Sequence, residues 1–60
     1  MLDERVLDRL REAMYVVQNC QTRLRDEPES YEVPILIDTR DRALRQAGRY
    51  ADLIARSLGE

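Results

Sequence analysis

The stretch Arg25-Asp26-Glu27-Pro28-Glu29-Ser30-Tyr31-Glu32-Val33-Pro34 decides the fold, because helical periodicity stops there. Its two prolines and four carboxylates separate two amphipathic patterns, one from about Leu2 to Arg25 and one from about Pro34 to Leu58. Pro28 ends the first, since a proline ring disfavours α geometry in the residue before it. Two conformations are open to the residues after Pro28. Ser30 can cap a helix whose first turn tolerates Pro34, or Val33 to Ile37 can be extended, with Asp38 capping a helix that starts at Thr39. The helical alternative is the expected one, with a loop over residues 26–33, so residues 1–60 read as a single αα-hairpin.

Upstream of the break, Val6, Leu10, Ala13, Val17, Cys20 and Leu24 succeed one another at alternating spacings of four and three. That is a heptad seam, and Leu7 and Met14 widen one edge of it while Leu2 and Val16 widen the other. Asp3 and Glu4 in the first turn and Arg23 and Arg25 in the last match the helix dipole. Between Ala13 and Val17 the apolar residues run all the way round the helix, with Tyr15 opposite the seam. One neighbouring helix cannot cover such a segment, so a second buried face is expected there.

Downstream, the apolar pattern continues through Leu44, Ala47, Ala51, Ile54 and Leu58, and Gly59 stands where a C-cap would be. Asp38 to Arg42, Asp41 to Arg45 and Asp52 to Arg56 are i,i+4 pairs in the favourable orientation, which marks a solvated face. Ala43, Ala47, Ala51 and Ala55 form a ridge of small residues with Gly48 beside it, suited to close helix packing. Arg40 falls on the seam, where a guanidinium must either pair with a carboxylate or snorkel out at the bundle end. Snorkelling near the loop is expected, and a pair with the acidic loop, which would fix the register of the hairpin, is the specific alternative.

A chain of 60 residues buries only about 60% of the surface its unfolded form exposes, and small domains usually add a disulfide, a metal or self-association. Cys20 is the one cysteine and there is no histidine, so association is the supplement that remains. Cys20 reads as a small buried hydrophobe. No cofactor is expected and no enzyme: nothing pairs with Cys20 to activate it, and carboxylates on an open helix stripe lack a dry cleft to separate their pKa values. No apolar run is long enough for a membrane span, and a cytoplasmic location is expected.

The expected fold class is therefore all-α, an antiparallel helical hairpin that dimerises into a four-helix bundle. The expected function is protein binding, as a homodimeric regulator, inhibitor or adaptor whose partners are itself and another protein. The candidate interface comprises Val6, Leu10, Met14, Tyr15, Val16 and Val17 of the first pattern. Tyr31, Val33, Ile35, Leu36, Ile37, Ala47 and Ala51 complete it from the second.

Nucleic acid is the alternative partner. Arg42, Arg49 and Arg56 repeat at seven-residue spacing with Arg45 beside them, a possible phosphate-tracking stripe that Arg5 and Arg9 would extend. Against it stand the interleaved aspartates and a balance of ten basic to twelve acidic residues, a formal charge of −2. In size and architecture the chain resembles the Rop-type RNA-binding hairpins, which dimerise into four-helix bundles. That resemblance implies a dimer and keeps RNA in view.

Overall fold

Asp3 starts the first helix by placing its carboxylate over the open amide end. In the computed structural model, which describes residues 3–59, the Arg5 amide donates to Asp3 Oδ1 at 2.9 Å. That bond satisfies one of the amides a helix N-terminus leaves without an intrahelical partner. Helix α1 runs Glu4–Arg25 and α2 runs Glu32–Gly59, and the two pack against each other as a hairpin with no strand among the described residues. Leu2, which the sequence pattern places in the first helix and its seam, lies outside the described residues.

At the far end of α1 the Asp26 amide donates to both Thr22 O and Arg23 O at 3.2 Å, closing the last turn. Glu27 then takes φ 53, the left-handed region that glycine usually fills. The chain turns out of α1 at this residue, ahead of Pro28. The Glu32 amide donates to Glu29 O at 2.9 Å, and α2 begins at Glu32. Pro34 therefore sits in the first turn, where a missing N–H costs nothing because that amide would be unpaired anyway. The extended alternative for Val33 to Ile37 is excluded, and the helix starts two residues before the expected Pro34. At the other end Gly59 is helical and not left-handed, so the C-cap expected of it is not formed.

The α1 seam is the one read from the sequence: Ala13, Val17 and Cys20 are buried, with Val6, Leu10 and Leu24 half-buried around them. The α2 seam keeps Arg40, Ala47 and Ile54 of the expected one and is otherwise rotated from it. Ala43 and Ala47 are buried, and Leu36, Arg40, Tyr50 and Ile54 are half-buried, whereas Leu44, Ala51 and Leu58 are exposed. The alanine ridge is likewise split, since Ala43 and Ala47 face α1 and Ala51 and Ala55 do not. The buried core side chains are thus small ones, and among the described residues none is a leucine, isoleucine or aromatic. The rod measures 46 × 14 × 14 Å.

Arg23 ties the two helices at the loop end. Its Nε lies 3.0 Å from Glu32 Oε2 and its Nη2 3.2 Å from Glu32 Oε1, a two-point contact from the last turn of α1 to the first residue of α2. The hydrogen bond and charge of Glu32 raise the Arg23 pKa, and the bond from the Arg5 amide lowers that of Asp3. Both shifts record a charged form held by the fold.

Candidate interaction surfaces

Because the core is narrow, many large apolar side chains remain outside it. Met14, Tyr15, Val16, Tyr31, Ile35 and Ile37 are exposed, with Tyr15 at 66% and Tyr31 at 68%. Leu44, Leu53 and Leu58 join them, although the sequence pattern assigns Leu44 and Leu58 to the core and passes over Leu53. Of the candidate interface, Val17 and Ala47 are spent within the hairpin itself, at 4% and 6% exposure. Val6, Leu10, Val33 and Leu36 are half-buried, and Ala51 is exposed.

The exposed residues divide into two flanks with different chemistry. Residues one position before a seam residue lie on one side of the hairpin: Arg9, Glu12 and Val16 from α1 line a shallow groove with Thr39, Arg42 and Gln46 from α2. The two helices run antiparallel, so a step in the same sense along each chain turns toward the same side of the pair. Residues one position after a seam residue therefore share the opposite flank. Leu7 and Met14 come directly after Val6 and Ala13 on α1, and Ile37, Leu44 and Ala51 directly after Leu36, Ala43 and Tyr50 on α2. The groove flank carries Val16, Ile35 and Leu53 among arginines and carboxylates. The other flank is apolar at successive heptad steps on α2, and on α1 it sets half-buried Leu7 and exposed Met14 beside Arg11, Gln18 and Gln21.

Arg40 lies half-buried on the apolar side of the α2 seam, between Ile37 and Leu44 at spacings of three and four. Its partner is the adjacent Asp41, with Nη2 3.3 Å and Nε 3.4 Å from Oδ1. The carboxylate pair is thus formed, but not with the acidic loop, because Arg40 stands about two turns into α2, away from both the bundle end and the loop. The loop-end carboxylate Glu32 is engaged by Arg23 instead. Asp41 is thereby withdrawn from the expected Arg45 pair, whereas Arg42 with Asp38 at 3.0 Å and Arg56 with Asp52 at 3.2 Å form as expected.

Arg42, Arg45, Arg49 and Arg56 are all exposed, and the groove brings Arg9 beside Arg42. Two of the four are engaged by aspartates, and Glu12 lines the same groove. Cys20 is buried and has no disulfide partner. Among the described residues no group of carboxylates and sulfur is arranged to hold a metal ion, and no helix is long and apolar enough to cross a membrane. No protein-family model matches the chain, and neither a curated protein nor a solved structure matches it.

Proposed function

We propose that this chain is a protein-interaction module: a helical hairpin that self-associates and, as a homodimer, binds another protein as a regulator, inhibitor or adaptor. The observation that carries this reading is the mismatch between core and surface. Among the described residues, those buried between the helices are alanine, valine and cysteine, while nine large apolar side chains are exposed. Large contiguous apolar surface on a small protein is stabilised by being covered. Tyr15, on the side of α1 away from α2, and Tyr31 at the loop end are apolar bodies with a polar tip, a combination favoured at protein interfaces. They lie off the two flanks and suit the second partner.

The test is solution mass by light scattering over a hundredfold range of concentration, with helicity monitored in parallel. A core shared between chains makes both depend on concentration. A folded monomer throughout would overturn the self-association. The competing reading draws on the exposed arginines and on Arg9 beside Arg42 in one groove. Fluorescence anisotropy with labelled RNA decides it: binding with a steep salt dependence, lost when Arg42, Arg49 and Arg56 are replaced by glutamine, would favour nucleic acid.

A further inference from the structure

We infer that the self-association face is the flank of Leu7, Met14, Ile37, Leu44 and Ala51, that its occupant is a second copy of this chain lying antiparallel, and that Arg40 sets the register. The inference rests on the proposed self-association and specifies its geometry.

Surface area argues for a second copy. The hairpin exposes 5038 Å², whereas a compact monomer of 7.1 kDa would expose about 4,100 Å². The excess, roughly 900 Å², is close to the ~800 Å² that each partner contributes to a standard interface. A 46 Å rod sheds such an excess most completely by lying alongside an equally long rod. A second copy has that length and carries the same stripe, so a two-fold axis makes the flank its own complement.

Charge selects the flank. The groove side sets Val16 among Arg9, Glu12 and Arg42, and covering it would desolvate those charges. The opposite flank places Leu7 and Met14 on α1 beside a heptad row of Ile37, Leu44 and Ala51 on α2. Arg40 is the half-buried charge at the inner edge of this row, already partnered by Asp41, and exposed Arg11 lies on the α1 side of the same flank. A single polar residue in an apolar seam gives up some stability and disfavours alignments that would bury it without a partner. The loop selects the orientation. Asp26, Glu27 and Glu29 are exposed at one end of the rod, so a parallel arrangement would bring two acidic loops together, whereas the antiparallel one separates them by the rod length. Met14 and Leu44 lie near the middle of their helices, which puts them close to the two-fold axis.

Sedimentation across concentration should give a dimer for the wild type. Leu44→Glu should weaken it by about a hundredfold or more, and Val16→Glu on the groove flank by less than about threefold. Far-UV circular dichroism verifies that each variant is helical. A cross-linking series in a Cys20→Ala background keeps the test independent of the charge variants' folding. Met14→Cys should form an intermolecular disulfide on mild oxidation and Ser30→Cys should not, because the loops are at opposite ends. Arg40→Leu should tighten association about tenfold and lower the yield of the Met14→Cys disulfide as the register loosens, while Ser30→Cys stays unlinked. A wild-type monomer would overturn the self-association itself. A dimer broken by Val16→Glu but not by Leu44→Glu would leave self-association standing and refute this face. Efficient Ser30→Cys cross-linking with Arg40 intact would refute the antiparallel arrangement. An Arg40→Leu variant with unchanged affinity and cross-links would refute the register role.

Discussion

Replacing Val17 by alanine removes two carbons from the most enclosed position of the seam, where the side chain is 4% exposed. At ~0.8 kcal/mol per buried carbon the lost transfer free energy is about 1.6 kcal/mol, and the unfilled space left behind adds to it. Alanine returns roughly 0.5 kcal/mol through its higher helix propensity, which leaves a net cost of about 1.5–2 kcal/mol. A domain of this length has a total stability of ~3–9 kcal/mol, so the loss would be a sizeable fraction and would lower Tm by about 6–15 °C. Val16→Ala supplies a control with identical chemistry one residue away. Val16 is 36% exposed and borders an open groove, so less transfer energy is lost, little cavity forms, and the same propensity gain leaves about 0.5 kcal/mol. Urea titration monitored by circular dichroism at 222 nm, at one fixed protein concentration, measures both. The reasoning fails if Val16→Ala costs as much as Val17→Ala, because the seam would then be misplaced or another surface would cover Val16.

Gly48 sits inside α2 with open space in the hairpin where a Cβ would be, so Gly48→Ala should stabilise the dissociated chain by about 0.8–1 kcal/mol, measured by the same titration at high dilution. It follows Ala47 on the proposed self-association flank, so a smaller gain at concentrations where the chain associates is expected, and a destabilisation at high dilution would contradict the open space. Glu27 holds a left-handed φ at a cost of roughly 1–2 kcal/mol, and glycine there, after its greater freedom in the unfolded chain is counted, should gain about 0.5–1 kcal/mol. Loss of stability on Glu27→Gly would refute the strain. For pH, the Asp3 pKa is lowered by the Arg5 amide bond, so its contribution is present above the unfolded value near 3.8 and lost as pH falls through the folded value. Asp3→Asn, which keeps an acceptor without the charge, should flatten that part of the stability profile below about pH 4, and an unchanged profile would contradict the capping role.

How much was legible in the sequence depended on whether a residue's position is fixed by its neighbours along the chain. The two helices, the acidic turn between them and the α1 seam are local in this sense. Val6, Leu10, Ala13, Val17, Cys20 and Leu24 repeat at helical spacing and have few rivals on that helix, so their periodicity alone picks out the inward face. On α2 two stripes compete, because Ala43 and Ala47 are small and Leu44, Ala51 and Leu58 offer a more apolar row one position on. Hydrophobicity favours the second row. The tertiary structure chose the first, placing alanines at the buried positions facing α1 and turning the larger side chains outward.

Arg40 shows the same limit in electrostatic form. Its seam position could be read from spacing, but its partner could not, since the choice among the loop carboxylates, solvent and Asp41 depends on where the rotated helix points the guanidinium. The pairing of Asp38 with Arg42 and that of Asp52 with Arg56 were readable because each spans four residues. Asp3 was expected within the first turn for the dipole, and the structure makes it the cap that precedes that turn. The Arg23 to Glu32 contact was not, because it exists only once the turn has folded α2 back along α1. Sequence by itself therefore determined which segments are helical and that their apolar surface exceeds what two helices cover. Only the packing of one helix on the other decided which apolar residues that excess comprises, because a rotation of about 100° per residue separates a buried row from an exposed one.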